Sequence, residues 1–438
     1  MSISGCIRRN IYWLNDIIHG RTVRKHFDEL KDFRQKTNLT QTRQKELCKN
    51  ILQFAVNNCV FYKKCDCKKL QSFPVVNKKI LDDNKSLITV DASSIPEQEE
   101  KNVHIQKTSG STGTPFAIPQ DSRKRHRRIA ELKFFGEDVG FKSHEKLAQC
   151  RIWTKWQSKG KWQSFKENII PINVAKMDDD TLAYICGIVK KEKVVSMRAY
   201  ASWYDKLVEY LESGKADPKI FKSIKVAISS SEALNEDTRI KMKNLTGIPI
   251  IECYANEENG VLAQQKIDDN NYYLNNASYI FEILKLESDK PAEYGELGRI
   301  VITDLYNYAF PMIRYDTGDT AILEKGNSIS GGWDYISKLY GRRLDLIYDV
   351  NGNPIHPMNL ARVLKNFSGI QQWQFIQKNE KEYLLRLNAE ISINQNKITQ
   401  EISSIVGNGK ISIEFVDDIP VLASGKRKSV ICEWKKNG

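Results

Sequence analysis

The sequence predicts an α/β protein with a large N-terminal domain of several subdomains built on parallel sheets, followed by a small α+β C-terminal domain. Three observations support this class. The 438 residues exceed what one hydrophobic core usually serves. Between residues 105 and 254, short apolar runs alternate with helical stretches, which is typical of parallel sheets. After Arg343 the pattern changes to short strands and two helices, a unit of ordinary domain size.

Residues 1–70 are predicted to form a helical lead-in. Within residues 45–60, apolar side chains recur at helical spacing, namely Leu47, Ile51, Leu52, Ala55 and Val56. Arg8 and Arg9 interrupt the first twenty residues, so these do not read as a signal peptide, and no apolar run is long enough to span a bilayer. We therefore expect a cytoplasmic protein without a transmembrane segment.

The remaining elements follow from the apolar patterning. Strands are expected at residues 193–197, 224–228 and 249–254, and helices at 202–212 and 235–245. Strand-like runs at 280–286, 298–303 and 320–323 indicate an antiparallel or barrel-like subdomain. Further on, strands are expected at 346–350, 372–377, 382–388 and 411–415, and helices at 358–366 and 397–405. We place the domains at residues 1–342 and 343–438.

The composition narrows the class of partners. Hydrophobic residues make up 41% and charged residues 28%, which is ordinary for a folded protein. The net charge of +13 would favour binding to nucleic acid or to a membrane surface. The lysines, however, are spread over the whole chain, which indicates a solvated surface, so no nucleic-acid partner is expected. The nine cysteines are odd in number and scattered, which predicts reduced thiols rather than disulfides or a metal site.

A loop rich in glycine and hydroxyl groups is the first candidate site. Glycine lets backbone N–H groups turn inward around an anion, and hydroxyls add donors. The segment suits the phosphates of a nucleotide, although it lacks the Gly-Lys-Ser/Thr ending of a Walker loop. Taken alone, it is equally well an ordinary flexible loop. Its residues are Thr108, Ser109, Gly110, Ser111, Thr112 and Gly113.

Four further segments carry chemistry. Tyr254 lies shortly before the paired acids Glu257 and Glu258, so it could stack on a purine while a carboxylate holds Mg²⁺. A carboxylate in the glycine turn at residues 315–319, which contains Asp316 and Asp319, could accept the hydroxyls of a ribose. Arg342 lies where the two domains meet. Lys426, in a glycine loop near the C-terminus, could neutralise charge between a carboxylate and an α-phosphate. Each segment alone is also compatible with a plain turn, strand end or basic tail.

In this order, the five segments resemble the adenylate-forming superfamily of acyl-CoA synthetases and luciferase. The chain is most similar to the phenylacetate–CoA ligase branch, in particular to members found with capsule and surface polysaccharide genes. Phe61-Tyr62, Phe73-Pro74-Val75, Lys78 and the arginine-bearing helix at residues 127–140 also resemble that branch. The resemblance covers about residues 55 to 430.

The resemblance implies a role for each matching residue. Thr108, Ser109, Ser111 and Thr112 would hold the ATP phosphates, Tyr254 would stack on adenine and Glu258 would bind Mg²⁺. Asp319 would bind the ribose, Arg342 would lie beside it, and Lys426 would promote the attack on the α-phosphate. The chain after Arg342 would swing as a lid. Candidates for the substrate pocket are Trp153, Trp156, Tyr200 and Ser230.

Some positions depart from the family pattern. Ala255 replaces a usual glycine, Glu257 replaces a small polar residue, and Leu344 stands where an acidic hinge residue is common. Lys428 competes with Lys426 for the catalytic role, although the preceding glycine favours Lys426.

The leading interpretation is a ligase that uses ATP and Mg²⁺ to activate a small carboxylate as acyl-AMP, with release of pyrophosphate. The enzyme would then pass the acyl group to coenzyme A, a carrier-protein thiol or an amine. A link to surface polysaccharide biosynthesis rests on the resemblance. One alternative is an adenylyltransferase that places AMP on a hydroxyl. Another is a non-catalytic basic binding protein with a degenerate nucleotide site. A second copy of the chain remains a candidate partner, as in a homodimer.

Overall fold

The computed structural model describes residues 3–35, 38–96, 103–107, 116–153, 159–175, 178–231, 233–328, 330–342, 346–355, 357–367, 369–389, 392–420 and 429–434. The helices in these segments are α1 (Ile3–Ile18), α2 (Thr22–Arg34), α3 (Asn38–Asn58), α4 (Lys78–Asp83), α5 (Lys85–Ile88), α6 (Ser122–Asp138), α7 (Lys161–Glu167), α8 (Asp179–Glu192), α9 (Ala201–Glu212), α10 (Glu236–Thr246), α11 (Pro357–Lys365) and α12 (Gln395–Val406). The first three lie within the stretch that was predicted to form a helical lead-in.

One sheet of eleven strands dominates the described part of the chain. A separate hairpin comes first, formed by β1 (His104–Lys107) and β2 (Ala117–Gln120). The large sheet contains β3 (Leu147–Arg151), β4 (Ile169–Asn173), β5 (Ser196–Tyr200), β6 (Val226–Ser230), β7 (Ile250–Asn256), β8 (Gly260–Lys266), β9 (Asp269–Leu274), β10 (Tyr279–Leu284), β11 (Leu297–Asp304), β12 (Tyr315–Glu324) and β13 (Tyr335–Arg342). Its strand order is β10-β11-β12-β13-β9-β8-β7-β6-β5-β3-β4.

The direction of the strands changes at β7. From β4 to β7 all pairs are parallel, whereas β7 pairs antiparallel with β8 and the remaining pairs are antiparallel too. The α/β class is therefore confirmed. The strands of the predicted antiparallel or barrel-like subdomain are hydrogen-bonded to the parallel ones within one mixed sheet, rather than forming a sheet of their own.

Helix α8 shows why the crossover segments are helical. Asp178 caps its first turn by accepting a hydrogen bond from the backbone N–H of Thr181 at 3.0 Å, and acidic and basic residues occupy its first and last turns in the sense that favours the helix dipole. Its buried residues recur every three to four positions, at Leu182, Ile185, Cys186 and Val189. This face packs in one core cluster with residues of α9 and of β3 and β5.

The lead-in helices are tied to the large sheet through a buried arginine. Arg127 of α6 has no exposed side-chain surface, and its guanidinium donates to the carboxylate of Glu29 in α2 at 2.6 Å. It also donates to the Ser278 hydroxyl and the Ala277 carbonyl, both at 2.8 Å. Glu29 in turn accepts from the Tyr306 hydroxyl. A buried charge such as Arg127 is tolerated only when it is paired, and its partner Glu29 comes from the lead-in. Helix α2 of the lead-in is therefore packed as part of the same fold as α6.

The C-terminal part has its own sheet and core. The small hairpin of β14 (Ile347–Tyr348) and β15 (Pro354–Ile355) precedes a four-stranded sheet of order β18-β17-β16-β19. Its strands are β16 (Ile370–Gln377), β17 (Glu382–Ala389), β18 (Lys410–Phe415) and β19 (Val430–Cys432). Residues between 347 and 432, including those of α11 and α12, form a separate hydrophobic cluster. The predicted small α+β unit is thus confirmed, whereas the domain boundary at residues 342 and 343 stays a prediction.

Among the described helices, none combines the length and the apolar character needed to cross a membrane. All nine cysteines lie in described segments, and none of them forms a disulfide bond.

Candidate active site

The β1–β2 hairpin flanks the predicted phosphate loop. Its strands pair from His104 opposite Gln120 to Lys107 opposite Ala117. The predicted phosphate-binding residues between them, Thr108, Ser109, Gly110, Ser111, Thr112 and Gly113, lie outside the described residues. The same holds for Lys426 and Lys428 in residues 421–428, for Leu344, and for Trp156. Their roles stay predictions.

Side-chain amides join this hairpin to the turn that carries the paired acids. Gln106 of β1 donates to the Glu257 carboxylate at 3.0 Å, and Gln120 of β2 donates to the Glu258 carbonyl at 2.9 Å. Arg128 of α6 bridges both, because its guanidinium donates to the Gln120 side chain and to the Glu257 carbonyl, each at 3.1 Å. The flanks of the glycine loop and the Glu258 segment, about 140 residues apart in sequence, are therefore held together.

Tyr254 and Asp319, from two different predicted motifs, are in direct contact. The Tyr254 hydroxyl donates to the Asp319 carboxylate at 2.7 Å and lies 3.2 Å from the Thr317 hydroxyl. Asp319 is opposite Arg342 in the β12–β13 pairing, so the segment that contains Arg342 reaches the same place. Gly318 has φ of 81°, a left-handed conformation that lets β12 bulge just before Asp319. Tyr254 itself lies inside β7 and is buried.

The charges at this point influence one another. Burial raises the pKa of the Asp319 carboxyl to about 6. The Tyr254 hydrogen bond and the Arg342 guanidinium act to lower this pKa, whereas the carboxylates of Glu258 and Asp316 act to raise it. The pKa of the Tyr254 hydroxyl lies well above its usual value because of burial and the nearby Asp319. Asp319 and Glu258 are thus close enough to interact electrostatically, and a cation or a donor of hydrogen bonds would relieve their repulsion.

Lys78, which in the sequence is part of the family pattern but has no predicted role, is a further charged residue of this site. Burial raises the pKa of the Glu258 carboxyl, and the Lys78 ammonium is the largest charge that opposes this rise. Lys78 begins α4, two residues after Val76, whose backbone forms a bridge with Tyr315 at the start of β12. Its ammonium lies 5.7 Å from the centre of the Phe116 ring, next to β2. The Phe-Pro-Val pattern before Lys78 was the only feature of the sequence that pointed to this residue. That pattern does not indicate which side chains lie next to Lys78 in the fold.

The described substrate candidates lie at the carboxyl ends of the parallel strands. Tyr200 ends β5 and is opposite Ser230, which ends β6, and Ser230 is opposite Cys253, directly before Tyr254. Trp153 follows β3, and its indole N–H donates to the Ile172 carbonyl at 3.0 Å. In open α/β sheets this edge is where ligands bind.

Trp153 is also connected to the acidic turn. The Arg151 guanidinium lies 5.5 Å from the centre of the Trp153 ring and 3.8 Å from the Glu257 carboxylate. The structure thus places Trp153, Tyr200 and Ser230 on the same edge of the sheet as Tyr254 and Glu258.

A small cavity of about 30 Å³ lies elsewhere, between α2, α6 and the end of β9. Its lining includes Phe33, Phe134 and Trp333 and none of the predicted site residues. A cavity of this size holds about one water molecule, so it is no candidate for a nucleotide or an acyl substrate.

Comparison with known proteins agrees with this architecture. Residues 347–433 match the family model of the CapK C-terminal domain. A curated relative, protein CapK of Staphylococcus aureus, is 20% identical over 94% of this chain and 93% of its own length.

Solved structures of ligases share the fold. The structure of 2-hydroxyisobutyryl-CoA ligase in the postadenylation state, in complex with 2-HIB-AMP, matches with a TM-score of 0.70 at 16% identity, over 91% of this chain and 90% of that chain. ATP-bound MatB from Rhodopseudomonas palustris matches with a TM-score of 0.54 at 16% identity, over 74% and 66% of the two chains. The branch within this fold, that of phenylacetate–CoA ligase, stays a prediction. The chain therefore has the fold seen in these ligases and is similar to CapK, which agrees with the resemblance that its motifs indicate.

Proposed function

We propose that the protein is an ATP-dependent ligase that activates a small carboxylate as acyl-AMP and transfers the acyl group to a thiol or an amine. The supporting observation is the meeting of Tyr254, Glu258, Asp319 and Arg342 beside the carboxyl ends of the parallel strands. These residues come from three motifs that are far apart in sequence. A site assembled in this way supports a common ligand better than three unrelated turns would.

The nucleotide is proposed to bind with its ribose at Asp319. The Tyr254 hydroxyl fixes the Asp319 carboxylate at 2.7 Å, which orients its oxygens for the two ribose hydroxyls. The same bond fixes the tyrosine ring, on which adenine is proposed to stack. Arg342, opposite Asp319 across the β12–β13 pair, would lie beside the ribose and the phosphates.

Glu258 fits the requirements for Mg²⁺. Carboxylate oxygens are preferred ligands of this ion, and the pKa of Glu258 is raised by burial, so a nearby divalent cation would favour its ionised form. Bound there, Mg²⁺ would neutralise negative charge on the triphosphate. Lys78, whose ammonium interacts electrostatically with Glu258, would supply a further positive charge to the phosphates.

The reaction we propose has two steps. A carboxylate oxygen of the substrate attacks the α-phosphorus, and the bond from that phosphorus to the bridging oxygen of the β-phosphate breaks, which releases pyrophosphate. Lys426 would offset the negative charge that develops at the α-phosphorus. A thiol or amine then attacks the acyl carbon and gives up its proton, and the carbon–oxygen bond to AMP breaks.

The finer assignments belong to the same proposal. Coenzyme A is the first candidate acceptor, and the relation to CapK favours a role in surface polysaccharide biosynthesis. We further propose that the chain changes orientation after Arg342, so that residues 343–438 act as a lid between the two steps.

The test is exchange of labelled pyrophosphate into ATP, measured with a panel of organic acids, uronic acids and amino acids. Lys426→Ala and Glu258→Ala are each expected to reduce exchange at least about a hundredfold, the usual scale for an electrostatic catalytic group. Lys428→Ala tests the competing lysine. Glu287→Gln, a neutralised carboxylate at an exposed position, serves as the matched control and is expected to have no effect.

Each outcome selects one interpretation. Exchange that requires one acid and falls in the Lys426 and Glu258 variants supports acyl adenylation. ATP binding without any acid-dependent exchange, together with AMP retained on a hydroxyl product, contradicts the ligase and favours adenylyl transfer. Absence of ATP binding, with salt-dependent binding to an anionic polymer, contradicts both and favours a non-catalytic binding protein.

A further inference from the structure

Helix α1 carries an uncovered stripe of apolar side chains. Ile7, Ile11, Leu14 and Ile18 fall within an arc of about 60° at 3.6 residues per turn. Their exposed fractions lie between 53% and 71%, although the opposite face of the helix packs on α2 through Trp13. Isolated exposed apolar residues are common, but a contiguous set of this kind indicates an interaction surface.

Helix α7, about 150 residues later in the chain, extends this surface with aromatic rings. Trp162 and Phe165 are 71% and 58% exposed, and their rings stack with centroids 5.8 Å apart. Arg8 of α1 fastens the two helices together, because its guanidinium donates to the Phe165 carbonyl at 2.6 Å and lies 4.2 Å from the centre of the Phe165 ring. We call the stripe together with Trp162 and Phe165 the α1–α7 patch.

The charges around the α1–α7 patch are predominantly positive. Arg8 bonds to neutral acceptors, the Phe165 carbonyl and the Asn168 side chain. Lys161 and Lys166 on α7 are exposed. Of the acids nearby, Glu137 is paired with Arg9 and Glu167 with Lys159. The patch therefore combines aliphatic and aromatic side chains with surplus positive charge on a chain whose net charge is +13.

We propose that the α1–α7 patch docks on the surface of an anionic phospholipid membrane. An amphipathic helix with basic flanks lies in the membrane interface with its apolar face in the acyl boundary, and tryptophan is enriched at that depth. A second copy of the chain is the less suitable occupant, because a symmetric contact would place two patches with the same surplus of positive charge against each other. This proposal does not depend on the catalytic one.

Co-sedimentation of the full chain with lipid vesicles tests the apolar part. The protein is expected to sediment with vesicles containing phosphatidylglycerol and to remain in solution with pure phosphatidylcholine. Ile11→Asn combined with Leu14→Asn should weaken binding at least about tenfold, because two apolar side chains no longer enter the lipid. Ile240→Asn combined with Ile267→Asn, two apolar residues of comparable exposure outside the patch, should leave binding unchanged.

The charges are tested separately. Lys161→Ala combined with Lys166→Ala should weaken binding to phosphatidylglycerol vesicles several-fold and reduce its dependence on salt. Lys290→Ala combined with Lys325→Ala, which removes the same charge at exposed positions elsewhere, should have a smaller effect. Unchanged thermal unfolding of each variant establishes that the fold is intact, and the substituted side chains are all exposed.

Three results would overturn the proposal. One is a wild-type protein that remains in solution with phosphatidylglycerol vesicles. Another is binding that the Ile11 and Leu14 substitutions leave intact. The third is a concentration-dependent dimer in sedimentation velocity that these same substitutions dissociate, which would assign the patch to contact between copies of the chain.

Discussion

Replacing Tyr254 by phenylalanine tests whether its hydroxyl controls the charge of Asp319. The substitution keeps the buried ring and removes the hydroxyl, with its 2.7 Å hydrogen bond to Asp319 and its 3.2 Å contact with the Thr317 hydroxyl. A bond to a partly buried carboxylate contributes roughly 1 kcal/mol after discounting for solvent, which corresponds to a pKa change of about 0.7. Since the bond favours the ionised form, its loss should raise the pKa of Asp319 from about 6 to roughly 6.7.

The consequence depends on pH in a defined direction. At pH 6 the ionised fraction of Asp319 would fall from about a half to about a sixth, so the dissociation constant for ATP should rise about threefold. At pH 7 the ionised fraction would fall only from about nine-tenths to about two-thirds, and at pH 8 the two proteins should bind almost equally. Isothermal titration with ATP at these three pH values measures the effect without a known acid substrate.

Tyr204→Phe is the matched control. Its hydroxyl is also buried and donates to a backbone carbonyl, that of Met197, at 3.0 Å, but it does not contact Asp319. A ratio of variant to wild-type dissociation constants that stays flat from pH 6 to pH 8 would refute the reasoning. So would a ratio that increases with pH, because it would mean that the hydroxyl favours the protonated acid.

Three further predictions concern the supports of the site. Gln106→Ala removes the 3.0 Å bond to the acidic turn and should weaken ATP binding several-fold, which fluorescence titration with an ATP analogue measures. Gly298→Ala should lower the free energy of unfolding by about 2–3 kcal/mol in urea denaturation, because a Cβ there would lie 2.5 Å from the Leu284 carbonyl oxygen. Gly187→Ala, in open space on α8, should be neutral or stabilising and is its control. Lys124→Met should cost about 3–5 kcal/mol in the same assay, since it leaves Asp304 buried without the ammonium now 2.6 Å away, and an unchanged midpoint would contradict this.

The local elements were predictable because each is determined by nearby residues. The helices at 235–245 and 397–405 appear within one or two residues of their predicted bounds, as α10 and α12. Asparagine caps at Asn235 and Asn394, followed by apolar periodicity, determine both starts. The turn at 351–353 forms because Asp349 accepts hydrogen bonds from the backbone of Asn351 and Asn353.

The assembly of the sheet was not predictable in the same way. Periodicity identified β10, β11 and β12 as strands but contained no information on their partners. The joining of β13 to β9 depends on a pair of positions, Tyr335 opposite Tyr273, that are about 60 residues apart in sequence. Pairing over such distances is decided by the whole fold, and one sequence does not reveal it.

The site shows the same division. The order of the motifs and the family resemblance together grouped Tyr254, Asp319 and Arg342, and the structure places these three together. The hydrogen bond between Tyr254 and Asp319 and the proximity of Lys78 to Glu258 required the fold, because each joins distant segments. The exposed stripe on α1 could not be predicted from the sequence, because the exposure of a side chain depends on how the helices pack.

The buried pair of Arg127 and Glu29 has a consequence for any shortened version of this protein. A chain that began after residue 35 would leave the Arg127 guanidinium inside the domain without its carboxylate partner, at a cost of roughly 3–5 kcal/mol. Such a deletion would remove a large share of the stability of an ordinary domain. A proteolytic cut between α2 and α3 would sever one peptide bond while leaving the ion pair and the packing around it in place. The two fragments would then be expected to remain associated and to separate only under denaturing conditions.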